Sequence, residues 1–462
     1  MSTNTFHNVY LLGIGGIGMS ALARYFNAMG KAVSGYDKTS TALTGELVTE
    51  GIAVHFNEDV AGLHALGLTA ENTLVIYTPA VPKTHSEYLF FAAQGYVIKK
   101  RSEVLGQITE KSFTVAVAGT HGKTTTSSLI AHILLSSGVD CSAFLGGITQ
   151  NYGTNLLIGT KLNESGSVVV VEADEYDRSF LALHPDIAVI TSIDADHLDI
   201  YENKELMCES YNLFAKQVKT GGVLIAKKGT EATLKDVDVR IISYSLRDMT
   251  DFHASDIRVA SGQYHYSLVA KDSEIKELTL GLPGSHNVEN SVAAVAVAKT
   301  MGISDEQIRS ALASFKGVKR RFEYQIKSEA LTYIDDYAHH PEELRACILS
   351  VRELYPTKKI TGVFQPHLYT RTRDFASGFS ESLSLLDEVI LLDIYPAREK
   401  PIDGVSSGML LKDIKSSSKM VCSKEELIGE LKKRKLEVLL TAGAGDIDML
   451  VEPIRNTFTT KN

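Results

Sequence analysis

Short runs of branched apolar residues recur along this chain, and most of them end abruptly in glycine or charged residues. The clearest is residues 113–118, FTVAVA, the pattern of a buried strand. It runs into Gly119-Thr120-His121-Gly122-Lys123-Thr124 and then into Leu129, Ile130, Ile133 and Leu134, one face of a helix. Upstream, the pattern predicts a strand over 8–15, a helix over 19–29 closed by Gly30, and a strand over 32–36 leading to Asp37. Further strands are predicted at 73–78 and 96–99. Downstream, strands at 168–171 and 187–193 end in EADEYD and DADHLD. Alternation through 256–282, with strands at 264–268 and 277–280, predicts an antiparallel addition. Residues 283–290 then open a helix rich in alanine and valine. Ser304 with Gln307 is a capping box for another helix, reaching Phe315. After a basic, glycine-led stretch at 317–323, read as a hinge, the alternation restarts. Strands are predicted at 331–334, 359–364, 388–394 and 436–441, with a helix over 341–355.

Strand and helix alternating three times over predicts an α/β protein of three domains: 1–107, 108–318 and 319–462. The first and third read as Rossmann-like and the second as a P-loop domain with added antiparallel strands. A length of 462 residues agrees, since one core seldom serves so long a chain. A hydrophobic share of 44% and a charged share of 22% are ordinary for a globular protein. The net charge of −9 argues against a nucleic-acid partner. Four dispersed cysteines show no metal-ligand spacing and read as reduced thiols. The start, MSTNTFHN, lacks a signal pattern, and no apolar run approaches the ~20 residues that span a bilayer. The expectation is a soluble cytoplasmic protein without a membrane partner.

Candidate chemistry sits where strands end. A glycine turn between strand and helix, followed by lysine and threonine, is the recipe for a triphosphate cradle. Helix-terminal amides point at the anion, Lys123 adds charge, and the Thr124 hydroxyl can hold a Mg²⁺. An apolar strand ending in Glu172 is where the carboxylate for that Mg²⁺ is expected, although an acidic surface turn is the bland reading. His197, usually a structural residue when alone, also falls at the end of a parallel strand, where open α/β sheets place ligands. The first domain carries Gly13-Ile14-Gly15-Gly16-Ile17-Gly18, with Asp37 about 20 residues on. That fits a dinucleotide-binding turn and by itself suggests NAD, against a plain packing turn. From the residues alone, three readings stand: an ATP-driven ligase or kinase, an NAD-dependent oxidoreductase, and an ATP-gated regulator. Lys123-Thr124 with Glu172 favours the first, because hydride transfer needs no Mg-triphosphate site.

GTHGKTTT, EADEYD, DADHLD, GSHNVEN and GVKRRFE together resemble the Mur ligases of peptidoglycan synthesis. GIGGIGMSALA, DDYAHHPEE, FQPHLYTRTRDF and IYPAREKPIDG resemble that family's alanine-adding branch, and the likeness covers essentially the whole chain. It implies ATP-dependent joining of L-alanine to the lactyl carboxylate of UDP-N-acetylmuramate through an acyl phosphate. The alternative within the family is the ligase that attaches a recycled tripeptide to the same sugar nucleotide. The resemblance re-reads Gly15, Gly16, Gly18, Met19 and Ser20, with Asp37, as the UDP-sugar site. It implies an ATP site at Gly119, Thr120, Gly122, Lys123, Thr124 and Thr125, joined by His286, Asn290, Arg321 and Asp336. Two Mg²⁺ are expected, held by Thr124 and Glu172 and by His197. Tyr337, His340, His367 and Arg371 fall in the L-alanine pocket. Lys123 and Arg321 carry catalytic charge, and His340 is the candidate base. A monomer or weak homodimer is expected. Two departures stand out. Sister ligases carry a carbamoylated lysine where this chain has Asn212, so no modified lysine is predicted. Leu368 replaces an arginine of FQPHR, leaving Arg371 or Arg373 to hold the alanine carboxylate.

Overall fold

The computed structural model describes residues 5–162, 164, 166–194, 201, 203–260, 262–271, 273–397 and 399–459. The chain divides into two compact units. One comprises Met1–Ser255, Ser267–Leu278 and Glu289–Phe315, and the other Asp256–Tyr266, Thr279–Val288 and Lys316–Asn462.

The first unit opens with a five-stranded parallel sheet in the order Ala53–His55, Ala32–Tyr36, Asn8–Leu12, Thr73–Tyr77, Val97–Lys100. The chain leaves Asn8–Leu12 to build outward on one side, then returns to build on the other. The crevice at the end of that strand is therefore the switch point where such sheets bind ligands. Helix Ile17–Ala28 follows it directly and buries Met19 through Phe26. The predicted strand overruns by three residues because Gly13, at φ +85°, already turns the chain. The short strand Ala53–His55 carries too little pattern to be predicted.

A ten-stranded sheet follows. Its parallel centre runs Arg240–Ser245, Val223–Lys227, Ile187–Ile190, Phe113–Ala118, Val168–Glu172, Cys141–Phe144. These central strands are buried on both faces, so they read as unbroken apolar runs such as VVVV. Leu156–Leu157 closes one edge antiparallel to Cys141–Phe144. At the other edge come Phe252–Ala260, Gln263–Ala270 and Ser273–Leu280, strands that contribute residues to both units. The first of them joins through a short parallel register, Tyr244↔Phe252 and Ser245↔His253. Helix Asp305–Ser314 starts at the expected Ser304–Gln307 capping box.

The second unit is organised on a six-stranded sheet, ordered Glu323–Lys327, Thr332–Asp336, Val438–Ala442, Ile360–Phe364, Glu388–Leu391, Ser418–Val421. All its pairs are parallel except the first. Tyr333, Val363, Ile390, Leu439 and Ile454 fill its core. No helix among the described residues is long and apolar enough to cross a membrane.

Candidate active site

Strand Phe113–Ala118 lies between Ile187–Ile190 and Val168–Glu172, so the loop after it emerges between the ends of both. Gly119 stands at φ +140°, and a Cβ there would lie 2.0 Å from Thr191 Oγ1. Gly122, at φ +81°, caps helix Lys123–Ser136, and its Cβ would come within 2.6 Å of Asn290 Oδ1. Only glycine satisfies both the torsion and the space. Thr120 Oγ1 lies 2.8 Å from Ser192 Oγ, which accepts the His121 N–H at 2.9 Å. The loop is thereby fixed to the neighbouring strand end. Thr124 and Thr125 are buried in the first turn, whose amides have no acceptor within the helix, the arrangement that suits an anion.

Lys123 Nζ donates to Gly119 O at 2.6 Å and to Glu175 Oε1 at 2.9 Å. Glu175 is 1% exposed. Burial pushes its carboxyl up to about 7, with Lys123 drawing it back. Burial works against the Lys123 charge, but Glu175 and Glu172 hold the ammonium above its usual range. Glu172 is half-buried, and its Oε2 accepts the Gly146 N–H at 3.0 Å. A Cβ at Gly146 would sit 2.2 Å from that oxygen. Thr124 and Glu172 are hard oxygen donors that suit Mg²⁺, an ion that keeps water and phosphate in its other positions. Among the described residues no group of three His, Cys, Asp or Glu forms a metal cage. His197 lies outside the described residues.

In the first sheet's crevice, Gly15 N–H donates to Asp37 Oδ2 at 2.8 Å, and Thr39 N–H to Asp37 Oδ1 at 3.0 Å. Asp37 thus braces the glycine loop itself. Gly16 is the N-cap of helix Ile17–Ala28. A Cβ on Gly18 would strike Arg101 Nη1 at 2.5 Å. Met19 belongs to the core, and Ser20 Oγ donates back to Ile17 O at 2.9 Å. Both side chains are thus turned into the protein, and the Ser20 N–H is itself bonded to Gly16 O at 2.8 Å. Asn155 Nδ2 donates to Ile17 O at 2.6 Å, and its Oδ1 accepts from buried Arg24 at 2.6 Å. This pins the helix from below.

The second unit gathers its candidates along one sheet rim. The Tyr337 ring carries the Arg320 guanidinium at 5.4 Å and that of Arg321 at 5.1 Å. Arg320 is committed to Asp335 at 2.9 Å, whereas Arg321 reaches Glu343 only at 3.9 Å. Asp336 accepts the Phe322 and Ala338 amides, each at 2.7 Å. Burial pushes its carboxyl up to about 6. His286 lies 3.3 Å from Ser350 Oγ, and burial, with Arg321 adding to it, pushes the imidazole down to about 4. His340 caps helix Pro341–Leu354 by accepting the Glu342 amide at Nδ1, 3.4 Å away. That bond places the neutral ring's proton on Nε2. His367 stacks on Tyr395 at 5.7 Å and meets His339 edge-on at 6.1 Å. Arg371 is 9% exposed, whereas Arg373 is exposed and paired with Asp374 at 2.7 Å. Of the two arginines left by Leu368, Arg371 is the one held in the fold. Leu368 itself stands at φ +66°.

Four residues that the structure places beside these candidates escape a reading of the sequence. Glu175 stands inside EADEYD, and His339 and Glu343 inside DDYAHHPEE, without a signal separating them from their neighbours. Arg101 has no motif at all.

Family models match three successive stretches: "Mur ligase family, catalytic domain" at 8–112, "Mur ligase middle domain" at 117–298, and "Mur ligase, glutamate ligase domain" at 320–445. A UDP-N-acetylmuramate–L-alanine ligase of Flavobacterium psychrophilum is 51% identical over 461 residues, covering 100% of both chains. Another of Parabacteroides distasonis is 50% identical, covering 98% of each. The crystal structure of a UDP-N-acetylmuramate–alanine ligase from Thermotoga maritima superposes with a TM-score of 0.81 at 26% identity, over 98% of this chain and 100% of that one. With three family domains in order and half-identical relatives spanning it end to end, the chain belongs to the Mur ligase family.

Proposed function

We propose that the chain joins L-alanine to the lactyl carboxylate of UDP-N-acetylmuramate at the expense of ATP, in the cytoplasm, as a step of peptidoglycan precursor synthesis. The observation that carries this reading is the glycine-walled loop with Lys123 at its mouth, in a chain half-identical to L-alanine ligases throughout. The working domains are 1–107 for the sugar nucleotide, 108–318 for ATP and 319–462 for the amino acid, in a monomer or weak homodimer.

A carboxylate is a poor acyl donor. Transfer of the ATP γ-phosphoryl group to the lactyl carboxylate gives an acyl phosphate and ADP. The neutral amine of L-alanine then attacks the acyl carbon, and inorganic phosphate leaves the tetrahedral intermediate with its electron pair. Both steps bring anions together, so catalysis is chiefly positioning and charge. Lys123 meets the terminal phosphates, and Arg321, whose ion pair with Glu343 is long at 3.9 Å, takes the γ-phosphate. Gly119, Thr120, Gly122 and Thr125 shape the cradle. Asn290 and His286 serve the adenine segment, and Asp336 turns its remaining lone pairs to the ribose. Thr124 and Glu172 would hold one Mg²⁺ and His197 a second. Bound there, Mg²⁺ would neutralise phosphate charge. Gly15, Gly16, Gly18, Met19 and Ser20 form the turn that receives the UDP diphosphate, with the first-turn amides of Gly18 and Met19 donating to it and Asp37 bracing the loop through the Gly15 N–H. Arg371 anchors the alanine carboxylate, with Tyr337, His340 and His367 around it.

A phosphate-release assay with ATP and UDP-N-acetylmuramate, offering L-alanine, glycine, L-serine or the tripeptide, tests the reading. The highest kcat/KM is expected with L-alanine. Fastest turnover with the tripeptide would replace it by the recycling ligase.

A further inference from the structure

Arg101 opens helix Arg101–Glu110 directly after the last strand of the first sheet. Its guanidinium lies against Gly18 so closely that a Cβ there would be 2.5 Å from Nη1 and 3.2 Å from Cζ. That places a cation at the first turn of helix Ile17–Ala28, the positive end of its dipole. Two positive ends facing each other are unfavourable unless an anion joins them. The one carboxylate paired with Arg101 among the described residues is Asp174, at 3.1 Å and 40% exposed, which balances the charge only in part. Arg101 and Asp174 also line one small cavity with Glu172. Lys100 makes a parallel tie, to Asp177 at 2.8 Å. Asp177 and Arg178, at φ +53° each, hold the acid loop in a left-handed turn.

We propose that Arg101 is a binding residue for the sugar nucleotide. Its guanidinium takes an anionic oxygen of the substrate lying over the first turn of helix Ile17–Ala28, and Asp174 ties the bound substrate to the loop that carries Glu172. The inference rests on the reading that this glycine loop takes the sugar nucleotide. Two groups of that substrate offer the chemistry, the diphosphate and the lactyl carboxylate.

Calorimetry on the full-length protein separates them, with UDP, UDP-N-acetylglucosamine and UDP-N-acetylmuramate as titrants. Arg101→Gln is expected to weaken binding about tenfold to a hundredfold, as for a lost charge-assisted hydrogen bond, and Arg101→Lys by less. A loss with all three titrants places the diphosphate on Arg101. A loss confined to UDP-N-acetylmuramate places the carboxylate there. ATP affinity should stay within twofold in both variants. Arg101→Gln binding all three as the wild type does, or losing ATP affinity to the same degree, would overturn the assignment. If the wild-type protein binds none of the three, the sugar-nucleotide reading of the loop fails, and Arg101 with it.

Discussion

The Lys123 ammonium sits between the two carboxylate oxygens of Glu175, 2.9 Å from Oε1 and 2.8 Å from Oε2, with Glu175 1% exposed. The phosphate-loop lysine is thus held by a buried acid within its own unit. Removing one member of a buried pair leaves the other charge without compensation, at a cost of about 3–5 kcal/mol. Lys123→Ala is therefore expected to abolish ligation and ATP turnover and to lower stability by roughly 3 kcal/mol. Calorimetric binding of the sugar nucleotide should survive. Lys123→Ala/Glu175→Leu should recover most of the stability and none of the activity, as read by chemical denaturation beside phosphate release. A single variant that still ligates would remove Lys123 from the phosphate site.

Arg371 is buried in helix Tyr369–Asp374, and its charge helps keep the His339 imidazole neutral, though burial does more, bringing it down to about 4. In its proposed role as anchor for the amino-acid carboxylate, Arg371 should contribute about 1.5–3 kcal/mol to binding. Arg371→Ala is expected to raise KM for L-alanine by roughly one to two orders of magnitude and KM for ATP less than twofold. Steady-state kinetics with each substrate varied in turn decides it. Equal shifts in both constants would assign Arg371 to general folding.

How much of this is legible in the sequence depends on how each residue reports itself. Buried parallel strands announce themselves, because both faces must be apolar, and 168–171 and the first four residues of 187–193 stand out that way; the second strand ends at Ile190, three residues short of the reading. Edge strands such as Glu323–Lys327 and Ser418–Val421 are half-exposed and short, so their pattern is diluted. Gly119 and Gly122 are legible because a phosphate turn demands them, whereas Glu175 is not. Nothing in EADEYD tells which acid faces inward. Glu175 is the buried one, just ahead of the Asp177–Arg178 turn, whose left-handed torsions no composition rule anticipates. Asp37 shows the converse. Its spacing after the glycines marks it as a ligand-side acid, whereas its carboxylate in the fold accepts the Gly15 N–H.

Asp336 makes stability depend on pH. Burial raises its folded-state value to about 6, above the usual carboxylate range near 4. Between those values the unfolded chain releases the proton while the folded one keeps it, so stability falls as pH rises through the window. Below it, both states hold the proton and the effect vanishes. Each tenfold difference in proton affinity is worth about 1.4 kcal/mol, so the full loss is about 3 kcal/mol by pH 6.5. Asp336→Asn does not titrate. The difference in unfolding free energy between variant and wild type, followed from pH 4 to 6.5, should therefore change by about 2 kcal/mol in favour of the variant, the part of that loss that falls between those pH values. A difference that stays flat would mean that Asp336 ionises as freely in the folded protein as in the unfolded chain.

Gly119 tests the phosphate loop without touching a charge. Its φ of +140° is open to glycine alone, and an added methyl would meet Thr191 Oγ1 at 2.0 Å and Ser192 N at 2.8 Å. The Ser192 contact is with backbone in the next strand end, so rotating a side chain cannot relieve it. Gly119→Ala must push the loop away from that strand, breaking the Thr120 and His121 bonds to Ser192 that fix it. The expected cost is about 2–3 kcal/mol of stability, combining torsion and overlap. KM for ATP should rise by at least about tenfold, while sugar-nucleotide affinity stays as in the wild type. Alanine at Gly138, also at positive φ (+81°) but with open space around its Cβ, is the control, since it carries torsional strain and no clash. If Gly138→Ala impairs ATP binding as much as Gly119→Ala, general strain and not the shape of the cradle is responsible.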